Sequence, residues 1–258
     1  MDIYEFGHTD SLIDVVVPTA DIRGRWFPRC LESVKVAARG RALIVAVESS
    51  GPDFNFARSI NAGMQRTTGH ALILNDDATL EAGACDALLG AIQRTGDGVY
   101  QLFIHHPNGK PAEIGWYLDR SFLAPLRYAW RIRGPFATLR KLKNKRFYPF
   151  LPLRTPRDGF DGFTFVACLV TRNAWDAVGP LDEGFPLGWE DVDYSLRCHE
   201  AGIAYYAVPK AVAFHTINGT RTSGDPREGP SYESLARKWP RERMIRALET
   251  GPRGGVVD

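Results

Sequence analysis

The chain has 258 residues, of which 44% are hydrophobic and 24% charged, and its formal net charge is +2. This profile is typical of a soluble globular protein with one large α/β domain or two small ones, and it excludes a disordered chain. No apolar run approaches the roughly 20 residues of a membrane span, and no secretory signal opens the sequence. We therefore expect a cytoplasmic protein, with peripheral contact at a membrane left open.

Strands and helices alternate through the first half of the chain. Short apolar runs have the length and composition of buried parallel strands, and the segments between them have the apolar spacing of helices. The predicted strands are 15–17, 42–47, 71–74 and 99–104. The predicted helices are 26–38, 56–67 and 81–95. This order predicts an α/β fold with a Rossmann-like, mostly parallel central sheet and helices on both faces.

The second half is less regular. Beyond a turn-rich stretch we expect further strands, helices, and a disordered Gly-Pro-rich end. The predicted strands are 163–170, 204–208 and 211–215. The predicted helices are 173–178, capped by Asn173, then 190–201 and 232–249. The four cysteines lack the Cys-x-x-Cys spacing of a zinc site, which favours reduced core thiols.

Three polar pairs follow predicted strands at the point where each strand ends. They are Pro18-Thr19, Glu48-Ser49 and Asp76-Asp77. Because ligands of parallel α/β sheets bind beyond the carboxyl ends of the strands, we expect these residues to meet at one cleft.

Adjacent carboxylates in Asn75-Asp76-Asp77 indicate a cation site. Two carboxylates at the tip of an apolar strand repel each other, and Mg²⁺ or Mn²⁺ would compensate their charge through hard oxygen ligands. The simpler interpretation is a solvated turn that caps the next helix, and an isolated Asp-Asp pair would favour it. The strand context favours the cation.

Further acidic residues begin the predicted helix 190–201. Glu190, Asp191 and Asp193 follow Trp189 directly, and the helix dipole stabilises anions at this end. Charge matching alone explains one or two of these acids, with Asp193 paired to Arg197 on an exposed face. A carboxylate held at a helix start against a Trp also suits a general base.

His215 ends the last predicted strand. A lone His is more often structural than a ligand. This position is at the predicted cleft, where the imidazole would complete a metal site with Asp77 or contact a diphosphate.

The segments together resemble the family 2 glycosyltransferases, over roughly residues 13–221. The resemblance is carried by an ordered set of motifs: VVVPT at 15–19, FARSINAG at 56–63, ALILNDD at 71–77, FVACLVTRNAWDAVGPLDEGFPLGWEDVDYSLR at 165–197 and AFHT at 213–216. It implies a GT-A-type fold and metal-dependent transfer of a sugar, with inversion, from a nucleotide-diphosphate sugar to an acceptor hydroxyl. It also implies a glycan or lipid-linked glycan as acceptor.

The resemblance further implies a role for each matching residue. Asp77 and His215 would bind the metal, Mn²⁺ or Mg²⁺. Asp191 would be the general base, supported by Glu190. The residues assigned to the nucleotide are Pro18, Thr19, Ala20, Asp21, Glu48, Arg58, Asn61, Asn75 and Asp76. Those assigned to the acceptor or diphosphate are Trp189, Asp193 and Arg221.

The same resemblance implies a division of the chain. A single catalytic domain would cover 1–220, with a nucleotide-binding half at about 11–104 and an acceptor-binding half at about 105–220. A basic insertion at 117–158 would interrupt the second half, and a C-terminal helix and tail would cover 221–258. Ala20-Asp21 and Glu48-Ser49 depart from the family pattern around the base, so the donor nucleotide is not predicted.

The segment from Arg120 to Arg157 holds eleven Arg or Lys residues and no Asp or Glu, interleaved with aromatics. One interpretation is a solvated or core-packed insertion. The others are contact with an anionic membrane surface, with a phosphorylated glycan, or with nucleic acid. The sequence does not separate these interpretations.

Two further function classes compete with glycosyl transfer. A sugar nucleotidyltransferase would need a Gly-rich basic loop after the first strand, and the segment from Val17 to Asp21 is not one. A non-catalytic nucleotide-sugar-binding protein would have no need for Asp77, Asp191 and His215. A glycosyltransferase acting on nucleic acid would use the same donor chemistry.

Overall fold

The computed structural model describes residues 1–8, 12–51, 54–118, 150–216 and 228–258. A large sheet is built from the following strands: β1 (Asp2–Gly7), β2 (Ile13–Thr19), β3 (Leu43–Glu48), β4 (His70–Leu74), β5 (Ala78–Leu80), β6 (Val99–His105), β10 (Ala167–Val170), β11 (Tyr205–His215) and β12 (Gly255–Val256). A smaller sheet contains β7 (Gly115–Leu118), β8 (Phe150–Leu153) and β9 (Gly162–Phe163).

The described helices are α1 (Phe27–Ala37), α2 (Phe56–Met64), α3 (Ala84–Thr95), α4 (Arg172–Val178), α5 (Glu190–Ala201), α6 (Glu228–Lys238) and α7 (Arg241–Thr250). None of the helices within these described ranges is long and apolar enough to cross a lipid bilayer.

The large sheet has the order β1-β3-β2-β4-β10-β6-β11-β12, and β5 pairs with β11. Two parallel groups, β3-β2-β4 and β6-β11-β12, lie on either side of the antiparallel β10. This arrangement confirms the predicted α/β class, although the sheet is mixed: β10 at its centre, β1 at its edge and β5 are each antiparallel to their neighbours. The apolar strand runs are buried, β2 along its whole length.

Helix α2 lies unusually close to the strands beneath it. A Cβ atom at Gly63 would lie 2.3 Å from Cγ1 of Val16 and 3.3 Å from Cγ2 of Val47. Only glycine permits this approach, because the β-branched side chains of a packed strand cannot move aside. The close contact fixes α2 against the middle of β2 and the last residues of β3.

A second apolar cluster joins the small sheet to α5 and the C-terminal helices. Its buried members are Trp116, Leu118, Phe185, Val192, Leu196, Leu235, Trp239, Met244, Ala247 and Leu248. The C-terminal helices thus share a core with the helix that carries Asp191.

The C-terminal region differs from the expectation in two ways. The single helix predicted at 232–249 is divided into α6 and α7 by Pro240, because proline disfavours a helical conformation in the residue before it and lacks an N–H. The end predicted as disordered instead adds β12 to the sheet, with Gly255 beside Tyr206.

Other predicted boundaries also change. The strand at 163–170 is two strands, β9 and β10, in different sheets, and 204–208 and 211–215 are one strand with a bulge between Val208 and Val212. Helix α4 begins after Thr171, and the Asn173 side chain does not cap it but donates to Asp97 at 2.8 Å. Strand β1, which pairs with β3, was not predicted.

Candidate active site

The carboxyl ends of β2, β3 and β4 place the predicted nucleotide residues at one edge of the sheet. Thr19 is paired with Glu48 in the parallel ladder, and Pro18 is paired with Val47. Thr19 Oγ1 donates to Asp76 Oδ2 at 2.7 Å, across 57 residues of sequence. The loop after β2 stays close, because Asp21 N donates to Thr19 Oγ1 at 3.3 Å. The prediction that these strand ends meet is confirmed.

Asp76 is almost completely buried at this edge. Burial raises the pKa of its carboxyl to about 6, the neighbouring Asp77 adds to the rise, and the hydrogen bond from Thr19 partly offsets it. A carboxylate in this position is stabilised by added positive charge.

Strand β5 brings Asp77 and His215 together. After Asp77 the chain turns back along the end of β11, so that Ala78 pairs with His215 and Thr216 N donates to Asp77 O at 3.1 Å. His215 Nε2 lies 3.1 Å from Asp77 Oδ1. The two atoms do not have hydrogen-bond geometry, and Oδ1 is buried with no hydrogen-bond partner among the described residues.

This pair fits a divalent cation. A buried carboxylate oxygen without a hydrogen bond needs a compensating group, and an imidazole nitrogen beside it supplies a second ligand. Within the described ranges no cluster of three or more His, Cys, Asp or Glu residues is gathered around one point. Mg²⁺ is typically held by one or two protein ligands together with water and substrate phosphates, so two suffice here.

A cleft of about 420 Å³ opens beside β3. Its lining residues are Met1, Asp2, Ala20, Glu48, Ser49, Ser50 and Arg58. Ala20, Glu48 and Arg58 were predicted to bind the nucleotide. Met1 and Asp2 were missed because β1 was missed, although its β-prone residues, such as Ile3 and Tyr4, were a signal.

Glu48 and Asp21 order the loop that follows β2 beside this cleft. Glu48 Oε1 accepts from Ile22 N at 2.9 Å, and Oε2 accepts from Tyr4 Oη at 3.2 Å. Asp21 Oδ1 accepts from Arg23 N at 2.9 Å, closing a tight turn. Both carboxylates therefore order the loop that borders the cleft.

Asn61 is not directed at the cleft. Its Nδ2 donates to Leu181 O at 2.9 Å and to Glu183 Oε1 at 3.0 Å, and its Oδ1 accepts from Leu181 N at 2.8 Å. We therefore reassign Asn61 from nucleotide binding to the attachment of segment 181–183. Asn55, which sequence reasoning missed, caps α2 and has a similar role, because its Nδ2 donates to the Glu183 and Phe185 carbonyls.

The first turn of α5 carries Asp191 and is joined by hydrogen bonds to the end of β9. Ser195 Oγ donates to Asp191 O at 2.8 Å and accepts from Phe163 N at 3.2 Å. Three residues beyond Phe163, Val166 O accepts from Asn75 N at 2.9 Å. These contacts link the start of α5 to the Asn75-Asp76-Asp77 loop through the short segment 163–166.

The immediate surroundings of Asp191 are those of a helix start. Its Oδ1 accepts from Val192 N at 2.8 Å, and the side chain is half-buried, whereas Glu190 is buried. Trp189, directly before them, has a positive φ of 73°. A left-handed conformation in a bulky residue is strained, and such strain is concentrated at functional sites.

Asp193 is not presented to an acceptor. It is fully buried, its Oδ1 accepts from Trp239 Nε1 at 2.7 Å, and its Oδ2 accepts from Arg197 Nε and Lys238 Nζ, both at 3.0 Å. The pair with Arg197 is present but buried instead of exposed. Asp193 is therefore reassigned from acceptor binding to the attachment of α6. Arg221 and positions 119–149 of the basic segment lie outside the described residues.

The fold is that of the GT-A-type glycosyltransferases. A crystal structure of GalNAc-T7 with UDP, GalNAc and Mn²⁺ superimposes with a TM-score of 0.60 at 11% identity, over 90% of this chain and 49% of that one. The chain thus spans about half the length of GalNAc-T7. At this identity the likeness establishes the fold alone.

Two other structures are less similar. S. aureus TarS 1–349 has a TM-score of 0.49 at 10% identity, over 79% of this chain and 60% of that one. The catalytic domain of Drosophila β1,4-galactosyltransferase 7, in complex with xylobiose, has a TM-score of 0.49 at 13% identity, over 87% and 79%. No protein-family model and no curated protein matches the sequence.

Proposed function

We propose that this protein is a glycosyltransferase that moves a sugar from a nucleotide-diphosphate donor to an acceptor hydroxyl with the help of a divalent cation. One observation carries the proposal. Asp77 Oδ1 and His215 Nε2 lie 3.1 Å apart without a hydrogen bond, at the strand ends where Thr19 binds Asp76. The motif resemblance to family 2 supports the same assignment.

The donor would lie along the edge formed by β2, β3 and β4. The nucleoside fits the cleft between Ala20, Glu48 and Arg58, and its diphosphate would extend toward Asp77 and His215. Thr19 and Asp76, joined by their hydrogen bond, hold the ribose side of this path. Arg58 Nε donates to Glu183 Oε2 at 3.2 Å, so this exposed ion pair borders the cleft.

Asp77 and His215 would hold the cation. When bound, Mg²⁺ or Mn²⁺ acts as a Lewis acid that stabilises the charge developing on the departing diphosphate. The residues of the chain supply the position: β5 and β11 fix the two ligands, and burial of Asp77 excludes water from one of its oxygens.

Asp191 would accept the proton of the attacking hydroxyl. The helix start favours its ionised form, and its half-buried position leaves it accessible to an acceptor. Attack from the side opposite the diphosphate, with Asp191 as base, gives inversion at the anomeric carbon. A glycan or lipid-linked glycan would supply the hydroxyl.

Thermal unfolding in the presence of nucleotide sugars tests this function. UDP-, GDP-, CDP- and dTDP-sugars are each added with Mn²⁺, with Mg²⁺, and with a chelator. We expect one nucleotide class to raise Tm by several degrees only when the cation is present, because ligands that bind the native state alone stabilise it. No shift with any donor at millimolar concentration would reject the function.

A further inference from the structure

The segment 181–193, which carries Asp191, is held from two sides. On the donor side, Asn55 and Asn61 of α2 bind the backbone at 181–185. On the other side, helix α6 contacts the segment at both its middle and its ends. The first set belongs to the nucleotide half of the fold, whereas the second comes from C-terminal residues that the proposed chemistry does not use.

Ser231 holds the middle of the segment. Its Oγ accepts from Leu187 N at 2.8 Å, and the Ser231 side chain is fully buried. Leu187 is two residues before Trp189, and the Tyr232 ring, next to Ser231, lies 5.3 Å from the Trp189 ring. A buried backbone N–H that loses its acceptor is costly, so this bond fixes the course of the chain into α5.

Lys238 joins the two ends of the segment. Its Nζ donates to Asp182 Oδ2 at 2.6 Å and to Asp193 Oδ2 at 3.0 Å. Asp193 is fully buried and lies two residues after Asp191. An ammonium group between the two carboxylates fixes the separation of residues 182 and 193, and with it the loop between them.

The loop needs such support because its backbone is strained. Gly188 and Trp189 have consecutive positive φ values of 79° and 73°. A non-glycine residue in this region of φ is strained, and the conformation persists only where surrounding contacts enforce it. The contacts from Ser231 and Lys238 of α6 are among those that surround this loop.

We propose that Ser231 and Lys238 are positioning residues that hold Asp191 in the geometry required of the base. This inference rests on the proposed function. It predicts that their loss lowers kcat and leaves donor binding unchanged, since neither residue contacts the cleft or the Asp77–His215 pair.

The test measures release of the nucleoside diphosphate from the donor that gives the largest thermal shift, with water as acceptor. The variants are Ser231→Ala and Lys238→Met, alone and each combined with Asp191→Asn. Thr171→Val is the matched control. Thr171 is also fully buried, and its Oγ1 accepts a hydrogen bond from the backbone N–H of Gly98 at 3.0 Å. This contact lies at the other end of the strands from Thr19 and Asp76.

We expect each α6 variant to lower kcat roughly tenfold or more at an unchanged donor KM, the size expected when a catalytic group is displaced by a fraction of an ångström. In the Asp191→Asn background the same changes should have no further effect, because they act through Asp191. Thr171→Val should keep kcat. Met keeps an unbranched aliphatic side chain in place of the lysine methylenes and removes only the ammonium group. If Ser231→Ala does not fold, the kcat of Lys238→Met therefore tests the positioning role.

Full kcat in both variants, or losses that add to that of Asp191→Asn, would overturn the positioning role. Failure of the proposed function has a different signature, because then the wild type itself neither binds nor cleaves any donor.

Discussion

We expect Asp191→Asn to lower turnover by a factor on the order of 10² or more while donor affinity stays within about twofold of the wild type. Asn has the shape of Asp and can keep the hydrogen bond from Val192 N, but its amide cannot take a proton from the acceptor hydroxyl. Single-turnover and steady-state release of nucleoside diphosphate, together with calorimetric donor binding, measure the two quantities separately.

Asp176→Asn is the control for this substitution. Asp176 lies in α4, and its side chain is 62% exposed. Its ion pair with Arg172 is long, at 3.9 Å, and such a surface pair contributes little to stability. It should retain wild-type turnover. Near-normal turnover in Asp191→Asn would remove Asp191 as the base and would direct attention to the neighbouring buried Glu190.

We expect Asp77→Asn to abolish the cation-dependent part of nucleotide binding. The Asn side chain is neutral, so at this buried position it would no longer balance the positive charge of a divalent cation. Without the bound cation, the diphosphate would lose the positive charge that attracts it. Titration of the nucleoside diphosphate by calorimetry, with Mn²⁺ and with a chelator, measures this component.

In the wild type the two titrations should differ by a factor of ten or more, about 1.4 kcal/mol. In Asp77→Asn they should coincide. Asp86→Asn, at a side chain 43% exposed on α3, removes the same charge away from the site and should preserve the difference. A difference that survives in Asp77→Asn would place the cation on other ligands.

The sequence predicted most of the elements because their signals are local. The buried runs at 43–47 and 71–74 are apolar throughout, and the helices between the strands have clear ends, so the positions of the strand ends follow directly. For this reason the sequence places Thr19, Glu48 and Asp76 at neighbouring strand ends, and in the structure they lie together there. His215 also lies beside Asp77, because β5 begins directly after Asp77 and pairs with the end of β11.

What the sequence did not show depends on distant partners. The antiparallel insertion of Ala167–Val170 between two parallel groups has no local signature, because its pairing is decided by strands about 70 to 95 residues away. Asn61 and Asp193 are polar residues within the motifs that resemble family 2, and for that reason they were assigned to ligand binding. Their oxygens and nitrogens are occupied by residues 181–183 and by 238–239, contacts that only the tertiary structure reveals. The positive φ of Trp189 is likewise enforced by packing and not by residue type.

The central claim is that Asp77 and His215 share a divalent cation with a nucleoside diphosphate. Anomalous diffraction at the manganese edge, from crystals grown with Mn²⁺ and the diphosphate identified by thermal shift, locates that ion directly. We predict one strong peak within coordination distance of both Asp77 Oδ1 and His215 Nε2 and of the diphosphate oxygens. A bound diphosphate with its manganese peak elsewhere, or with His215 donating a hydrogen bond to an ion-free Asp77, would contradict this account.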